Sequence, residues 1–259
     1  MMVKECAVSG MFFPDDGGVL RQAVRRYIDG GVLMGERPVI LIAPHAGIQY
    51  SGECAGYAYA QAADQGFTKA VVVAPSHYVG FEGVALLEAD AYRTPLGDIP
   101  LDTARTQALL ENPELGLFSH PQPFEKEHAL EVHLPFLQEA LGNFSLLCVV
   151  YGRCDYRQLT ALFEACSDED TLIVVSSDLS HFYTEERANE LDSYCHQGIE
   201  NLDFEQLLPC EACGKTGIQG AMAYAKQHGL RSRMLNYMTS AKHSGDTSRV
   251  VGYGSYIIY

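Results

Sequence analysis

The chain has 259 residues, and its 33 acidic and 18 basic residues give a formal net charge of −15 at pH 7. Hydrophobic residues make up 47% of the sequence, which excludes a disordered chain and favours a single folded domain spanning residues 1–259. The acidic excess argues against binding to nucleic acid or to an anionic membrane, because both require clustered Lys and Arg. We find neither a long apolar run nor a secretory signal pattern, and therefore expect a cytoplasmic protein.

Strand-like and helix-like segments alternate along the chain. Short apolar runs rich in Val and Ile predict strands that are buried on both faces. In chain order, we predict a strand over 38–47, a helix over 52–66, a strand over 69–81, a helix over 124–142, strands over 145–152 and 171–182, helices over 185–202 and 217–229, and two final strands joined by a polar loop at 243–247. This alternation predicts an α/β fold, a three-layer α/β/α sandwich with a largely buried central sheet.

The eight cysteines are spread over the whole chain. In a cytoplasmic protein this distribution favours reduced thiols over a disulfide framework. Cys210 and Cys213 form a C-x-x-C pair, but no second pair is present to complete a structural zinc site. The pair is either redox-active or simply marks the entry to a helix beside Gly214.

Histidines follow three of the predicted strands. His45, His77 and His181 lie in polar clusters where apolar runs end, and His243 lies in the final loop. Ligands of open α/β sheets bind outside the carboxyl ends of the strands, and neutral imidazoles are common metal ligands. Asp178 is either a further ligand or a group that orients a neighbouring imidazole, and a free histidine such as His181 suits proton transfer. The residues alone leave open a metal site or a polar pocket whose histidines hydrogen-bond one another.

The predicted helix over 124–142 contains two further histidines. His128 and His133 are five residues apart, so they do not share the helix face that an H-E-x-x-H metal site requires. The segment is either an ordinary exposed acidic helix or a helix that brings Glu127 or His128 to the rim of the pocket. We assign no role to the remaining histidines, which are His120, His196 and His228.

Several segments together resemble a known family. These are PHAGIQYSG at 44–52, APSHYVGFEG at 74–83, SSDLSHF at 176–182, CGKTGI at 213–218 and SRVVGYGSY at 248–256. In this order they resemble the Memo family, whose bacterial and archaeal members are called AmmeMemoRadiSam system protein B. The resemblance covers nearly the whole chain. It implies a fold like that of the LigB-type extradiol dioxygenases, which hold a non-haem iron(II) with two histidines and a third ligand.

The resemblance also implies a set of site residues. His45 and His77 match the first two metal ligands. Counting back from the shared Tyr253 places His243 at the third position, where the human member has a cysteine, and Lys242 is the neighbouring choice. Iron(II) is the cofactor that the resemblance implies first, with copper or zinc as alternatives. His181 matches the acid/base histidine of the dioxygenases, and Asp178 lies in the same S-S-D-x-x-H motif.

Two classes of function follow from the resemblance. The first is a metal-dependent, dioxygenase-like oxidoreductase that acts on a small molecule. The second is a non-catalytic module that binds a peptide or a protein in a vestigial pocket. The family context implies an AMMECR1-like protein and a radical-SAM protein as partners.

Overall fold

The structure is a computed structural model that describes residues 2–259. Its strands are β1 Val3–Glu5, β2 Ile40–Ala43, β3 Lys69–Pro75, β4 Val84–Leu86, β5 Ala91–Thr94, β6 Gly97–Pro100, β7 Leu117–Ser119, β8 Ser145–Tyr151, β9 Thr171–Ser176, β10 His181–Tyr183, β11 Ser232–Thr239 and β12 Val250–Ile258. Its α-helices are α1 Gly17–Asp29, α2 Ile48–Ala62, α3 Thr103–Leu110, α4 His128–Glu131, α5 His133–Leu141, α6 Tyr156–Cys166, α7 Glu185–Glu200, α8 Lys215–Gln227 and α9 Ala241–Ser244, and a 3₁₀ turn covers Gln122–Phe124. None of these helices combines the length and apolar character needed to cross a membrane.

A large mixed sheet of nine strands forms the centre of the molecule. Its order is β10-β12-β2-β9-β3-β8-β4-β7, and β11 pairs with β12 beside this path. The four central strands β2, β9, β3 and β8 are parallel, whereas β12 and β4 flank them in antiparallel orientation. Strands β1, β5 and β6 form a separate small sheet.

Helices cover both faces of the large sheet. Neighbouring residues on one strand point to opposite faces, so Leu41 packs in the cluster that includes Leu20 of α1 and Tyr59 of α2. The next residue, Ile42, packs in the opposite cluster with Ile218 of α8. Because both faces are buried, the central strands are apolar at nearly every position. The three-layer α/β/α sandwich predicted from the sequence is confirmed.

The predicted helix over 124–142 is broken in the structure. Helix α4 ends at Glu131, and α5 begins at His133. Pro135 lacks the N–H that would donate to the carbonyl of Glu131 in a continuous helix, which explains the break. The break leaves α4 as a single turn that begins at His128.

Cys195 on α7 and Cys210 form a disulfide with a Cα–Cα distance of 4.8 Å. The expectation of reduced thiols throughout is therefore wrong for this pair. Gly198 explains how the two segments meet, because a Cβ at that position would lie 2.8 Å from Leu207. The segment after α7 thus lies directly against the helix. Cys213 remains a free thiol, so the C-x-x-C pair is not bonded to itself.

Candidate metal centre

The candidate site lies at the carboxyl ends of three neighbouring strands. His45 follows β2, His77 follows β3 and Asp178 follows β9, each by two residues. These strands are parallel and adjacent in the order β2-β9-β3, so their ends meet at one edge of the sheet. His45 and Asp178 are buried, whereas the side chain of His77 is 28% exposed. The site therefore has a closed interior and one side that faces solvent.

His128 joins the two strand-end histidines. The ligand atoms of His45, His77 and His128 all lie within 4.8 Å of one another, so these three residues can hold a metal ion. The ring of His45 lies 5.1 Å from that of His77 and 5.3 Å from that of His128, measured between centroids. The rings of His77 and His128 are 4.7 Å apart. A group of three imidazoles suits zinc, copper, iron or nickel.

Glu127 fixes the orientation of His77. The Nδ1 atom of His77 lies 2.8 Å from Glu127 Oε1, and its backbone N–H donates to Oε2 at 2.6 Å. Burial alone would raise the pKa of the Glu127 carboxyl, but the hydrogen bonds from His77 and Ala129 hold it below its ordinary value. A carboxylate only accepts hydrogen bonds, so Nδ1 of His77 carries the proton and Nε2 is free to bind a metal.

His128 has the features of an unsatisfied ligand. Its Nδ1 atom is buried and makes no hydrogen bond, and Oε1 of Glu127 lies 3.3 Å from it. Burial lowers the pKa of this imidazole to about 4. Phe12 and Tyr78 pack on its ring at centroid distances of 4.6 and 5.7 Å. A neutral imidazole with an unpaired buried nitrogen fits a metal ligand.

His45 is the most deeply buried of the three histidines. Burial, followed by the charges of His77 and His128, lowers its pKa well below 6.5. Its backbone N–H donates to Oδ1 of Asp178 at 2.8 Å, and its Nδ1 lies 2.6 Å from Oγ of Ser176. The imidazole is therefore neutral at physiological pH, which is the form that binds metals.

The structure places His243 outside this cluster. It lies on α9, where its Nε2 is 3.8 Å from Oε2 of Glu53, and the neighbouring Lys242 contacts the same carboxylate at 2.6 Å. Helix α9 packs against α2, whereas α4 packs against β3 and brings His128 to the strand ends. Of the predicted set His45, His77 and His243, the structure therefore brings together the first two, and His128 takes the place of His243.

Asp178 and His181 lie beside the cluster. Burial raises the pKa of the Asp178 carboxyl to about 6. Its Oδ2 lies 3.9 Å from Nε2 of His45. His181 begins β10 and follows Asp178 by three residues in the chain. The proton-transfer role of His181 and the role of Asp178 as a ligand or as a group that orients an imidazole remain predictions.

Cys213 is a site residue that the sequence analysis missed. Its Sγ lies 3.4 Å from Nε2 of His45 and 3.3 Å from the backbone N of Asp178. Gly214 makes this approach possible, because a Cβ there would lie 2.3 Å from the carbonyl oxygen of Ser176. The sequence feature that could have indicated Cys213 as a site residue is the glycine that directly follows it.

A groove of about 520 Å³ runs beside His77 and includes Cys213. Its other lining residues include Ser76, Phe81, Tyr151 and Thr216. The groove thus meets the site at Ser76, which precedes His77, and at Cys213.

The N-terminal segment is tied to α4 through Glu131. This buried carboxylate accepts hydrogen bonds from the backbone N–H groups of Ala7 and Val8, at 2.8 and 3.0 Å. It also accepts from Tyr92 Oη at 2.7 Å and lies 3.3 Å from Nζ of Lys4. The same segment carries Phe12 onto the ring of His128. The N-terminal segment thus forms one wall of the site.

Comparison with known proteins identifies the family of this chain. The family model described as Memo-like protein matches residues 4–257. The chain therefore belongs to the Memo family. Its relatives include the MEMO1 family protein of Methanobrevibacter smithii, which is 33% identical over 98% of this chain and 99% of the relative. The MEMO1 family proteins of Methanosarcina acetivorans and Desulfurococcus amylolyticus are 32% and 30% identical, over 100% and 97% of both chains.

Proposed function

We propose that this protein is a cytoplasmic, metal-dependent oxidoreductase that holds one iron(II) ion with His45, His77 and His128. The observation that carries this proposal is the cluster of three imidazoles, whose ligand atoms all lie within 4.8 Å of one another. Iron(II) held by three imidazoles would keep open positions at which dioxygen and a substrate oxygen could bind. Copper and zinc are the alternative metals for the same ligand set.

The remaining residues of the site have separate roles in this proposal. His181, which follows Asp178 by three residues and is not one of the three clustered histidines, accepts and returns a proton of the substrate. Asp178 holds the backbone N–H of His45 and so fixes the loop that carries this ligand. The groove beside His77 admits a small molecule to the solvent-facing side of the metal.

Metal content tests the ligand set. Elemental analysis of untagged protein purified without chelator is expected to find close to one iron per chain. The His45→Ala/His77→Ala double variant and the His128→Ala variant are expected to lose it. His243→Ala is the matched control and should keep its metal, because His243 lies beside Glu53. Loss of metal in His243→Ala with retention in His128→Ala would contradict the assignment.

Oxygen consumption tests the catalytic role. Iron(II)-loaded protein is expected to consume oxygen with one member of a panel of catechol-like and thiol compounds. His181→Gln should keep its metal but lose most of this activity, since its proposed role is proton transfer. An iron-loaded protein that consumes no oxygen with any of the compounds would favour the second function.

The second candidate is a binding module for a peptide or a protein, with AMMECR1-like and radical-SAM proteins as partners. Exposed aromatic residues near the site favour it, because such residues are enriched at interfaces. Tyr78, which packs on His128, is 54% exposed, and Phe182, next to His181, is 60% exposed. Pull-down of either partner by both the wild type and the His45→Ala/His77→Ala variant would support this module. Tyr78→Ser and Phe182→Ser should then release the partner.

A further inference from the structure

We propose that Ser176 is a positioning residue that decides which nitrogen of His45 carries the proton, and that this choice makes His45 a metal ligand. The inference about the proton concerns the metal-free protein. Its consequence for metal binding rests on the proposed function.

The proton arrangement follows from the contacts of one hydroxyl. Ser176 Oγ lies 2.6 Å from the carbonyl oxygen of Ala129, 2.6 Å from Nδ1 of His45 and 2.8 Å from Nε2 of His133. A carbonyl oxygen can only accept, so the single hydroxyl hydrogen is donated to Ala129. Both imidazoles must then donate to the lone pairs of Ser176. His45 therefore carries its proton on Nδ1, and its Nε2 presents a lone pair to the cluster.

The contacts of His133 with Ser176 and Tyr59 permit no other placement of the hydrogens. His133 donates from Nε2 to Ser176, and its Nδ1 lies 2.9 Å from Oη of Tyr59. Burial lowers the pKa of His133 to about 3, so the ring is neutral and its Nδ1 accepts from the hydroxyl of Tyr59. Tyr59, His133 and Ser176 are each fully buried. With no water to substitute for a lost partner, the network has one complete set of donors and acceptors.

Ser176 also reaches a second ligand. The carbonyl that accepts its hydrogen belongs to Ala129, which follows His128 in α4. One hydroxyl at the end of β9 therefore joins the loop that carries His45 to the turn that carries His128. Metal sites lose about 10- to 100-fold in affinity when groups that orient their ligands are removed.

Removal of the hydroxyl has an effect that a packing role does not predict. In Ser176→Ala, Nδ1–H of His45 loses its acceptor, while Nε2–H gains Cys213 Sγ at 3.4 Å as a possible partner. We expect the proton to move in part to Nε2, which is the atom that the metal needs. His133→Phe removes the other imidazole but leaves the Ser176 acceptor for His45, so it should preserve the proton on Nδ1.

Nitrogen NMR of metal-free, ¹⁵N-labelled protein tests the inference directly. The signals of His45 are assigned by their loss in His45→Ala. Wild type and His133→Phe should show a protonated Nδ1 and an unprotonated Nε2, and Ser176→Ala should show a mixture. An Nε2-protonated His45 in the wild type, or an unchanged proton position in Ser176→Ala, would overturn the proposal. If Ser176→Ala does not fold, Ser176→Cys replaces it, because a thiol is a weaker acceptor of similar shape.

Iron(II) affinity, measured by competition with a chelator, supplies the second readout. Ser176→Ala should bind about 10- to 100-fold more weakly than the wild type. The matched control is Ser177→Ala, which removes a neighbouring buried hydroxyl that contacts no imidazole. An equal loss in Ser177→Ala would overturn the proposal in favour of a general structural effect. A proton shift in a protein that binds no iron at all would support the assignment of Ser176 and contradict the proposed function.

Discussion

Glu127 accepts both the side-chain and the backbone N–H of His77, from Nδ1 at 2.8 Å and from the main chain at 2.6 Å. Glu127→Gln keeps the size of the side chain but replaces one of the two accepting oxygens with a donor. We expect the fold to persist and the metal affinity to fall about 10- to 100-fold, because His77 is then no longer held in its ligand orientation. Chelator competition measures this change. The exposed Glu125→Gln is the control, and equal affinities in the two variants would contradict the role of Glu127.

Cys213 contacts the nitrogen of His45 that the proposed metal would need. Nε2 of His45 cannot accept a hydrogen bond from Cys213 and bind a metal at the same time, and the two atoms are 3.4 Å apart. Cys213→Ala should therefore bind iron(II) about two- to tenfold more tightly than the wild type, which is the range expected for one hydrogen bond. The same chelator competition measures it. Weaker binding in Cys213→Ala would instead identify the thiol as a ligand.

Folding stability should fall in mild acid. Burial lowers the pKa of four imidazoles, well below 6.5 for His45, to about 4 for His128 and His196, and to about 3 for His133. Between about pH 4 and 6.5 the unfolded chain binds these protons and the native state does not, so stability declines as pH falls through this window. Each group contributes up to about 1.4 kcal/mol per pH unit. The buried carboxyls of Asp178 and Asp192, whose pKa values are raised, oppose this trend but are fewer.

Urea unfolding at intervals from pH 5 to 7 measures the expected slope. His196→Gln should reduce the slope of the unfolding free energy against pH by the equivalent of up to one bound proton. It should leave the histidine cluster intact, because His196 contacts Tyr256 on β12 and Tyr237 on β11. Stability that is constant or that rises toward pH 5 would contradict this prediction.

Glu131 should be a major determinant of stability. Its replacement by Ala leaves two backbone N–H groups, the Tyr92 hydroxyl and the Lys4 ammonium without their buried acceptor. We expect the free energy of unfolding to fall by about 3–5 kcal/mol. The exposed Glu36→Ala should change it by less than about 0.5 kcal/mol. Urea unfolding followed by circular dichroism compares the two variants. A similar free energy of unfolding in both would show that the fold does not depend on Glu131.

The disulfide should contribute separately to stability. Cys195 and Cys210 are 15 residues apart, and closing a loop of that length stabilises a fold by about 3 kcal/mol in the chain-entropy account. Reductant should lower the unfolding midpoint of the wild type to that of Cys195→Ala/Cys210→Ala. It should not affect the double variant. A midpoint that does not respond to reductant, together with two free thiols at these positions by mass spectrometry, would contradict the bond.

The central sheet was predictable because its strands are buried on both faces, which makes their apolar runs continuous and local in sequence. Short strands such as Gly97–Pro100 were not predictable, because half-exposed segments of four residues lack a distinctive pattern. The strand-end positions of His45 and His77 followed from parallel topology. His128 reaches the cluster only because α4 packs against β3, and no local signal specifies that contact. The Cys195–Cys210 bond likewise depends on the close approach of Gly198 and Leu207.

Strand order also sets when the central sheet can be completed during synthesis. Strand β2, which leads to His45, is hydrogen-bonded on one side to β9 and on the other to β12. The ribosome makes β2 early but must translate through residues 250–258 before the second neighbour exists. Until then the edge of β2 that faces β12 is unpaired. A nascent chain that stalls before β12 is made therefore exposes an apolar strand edge to chaperones instead of a closed sheet.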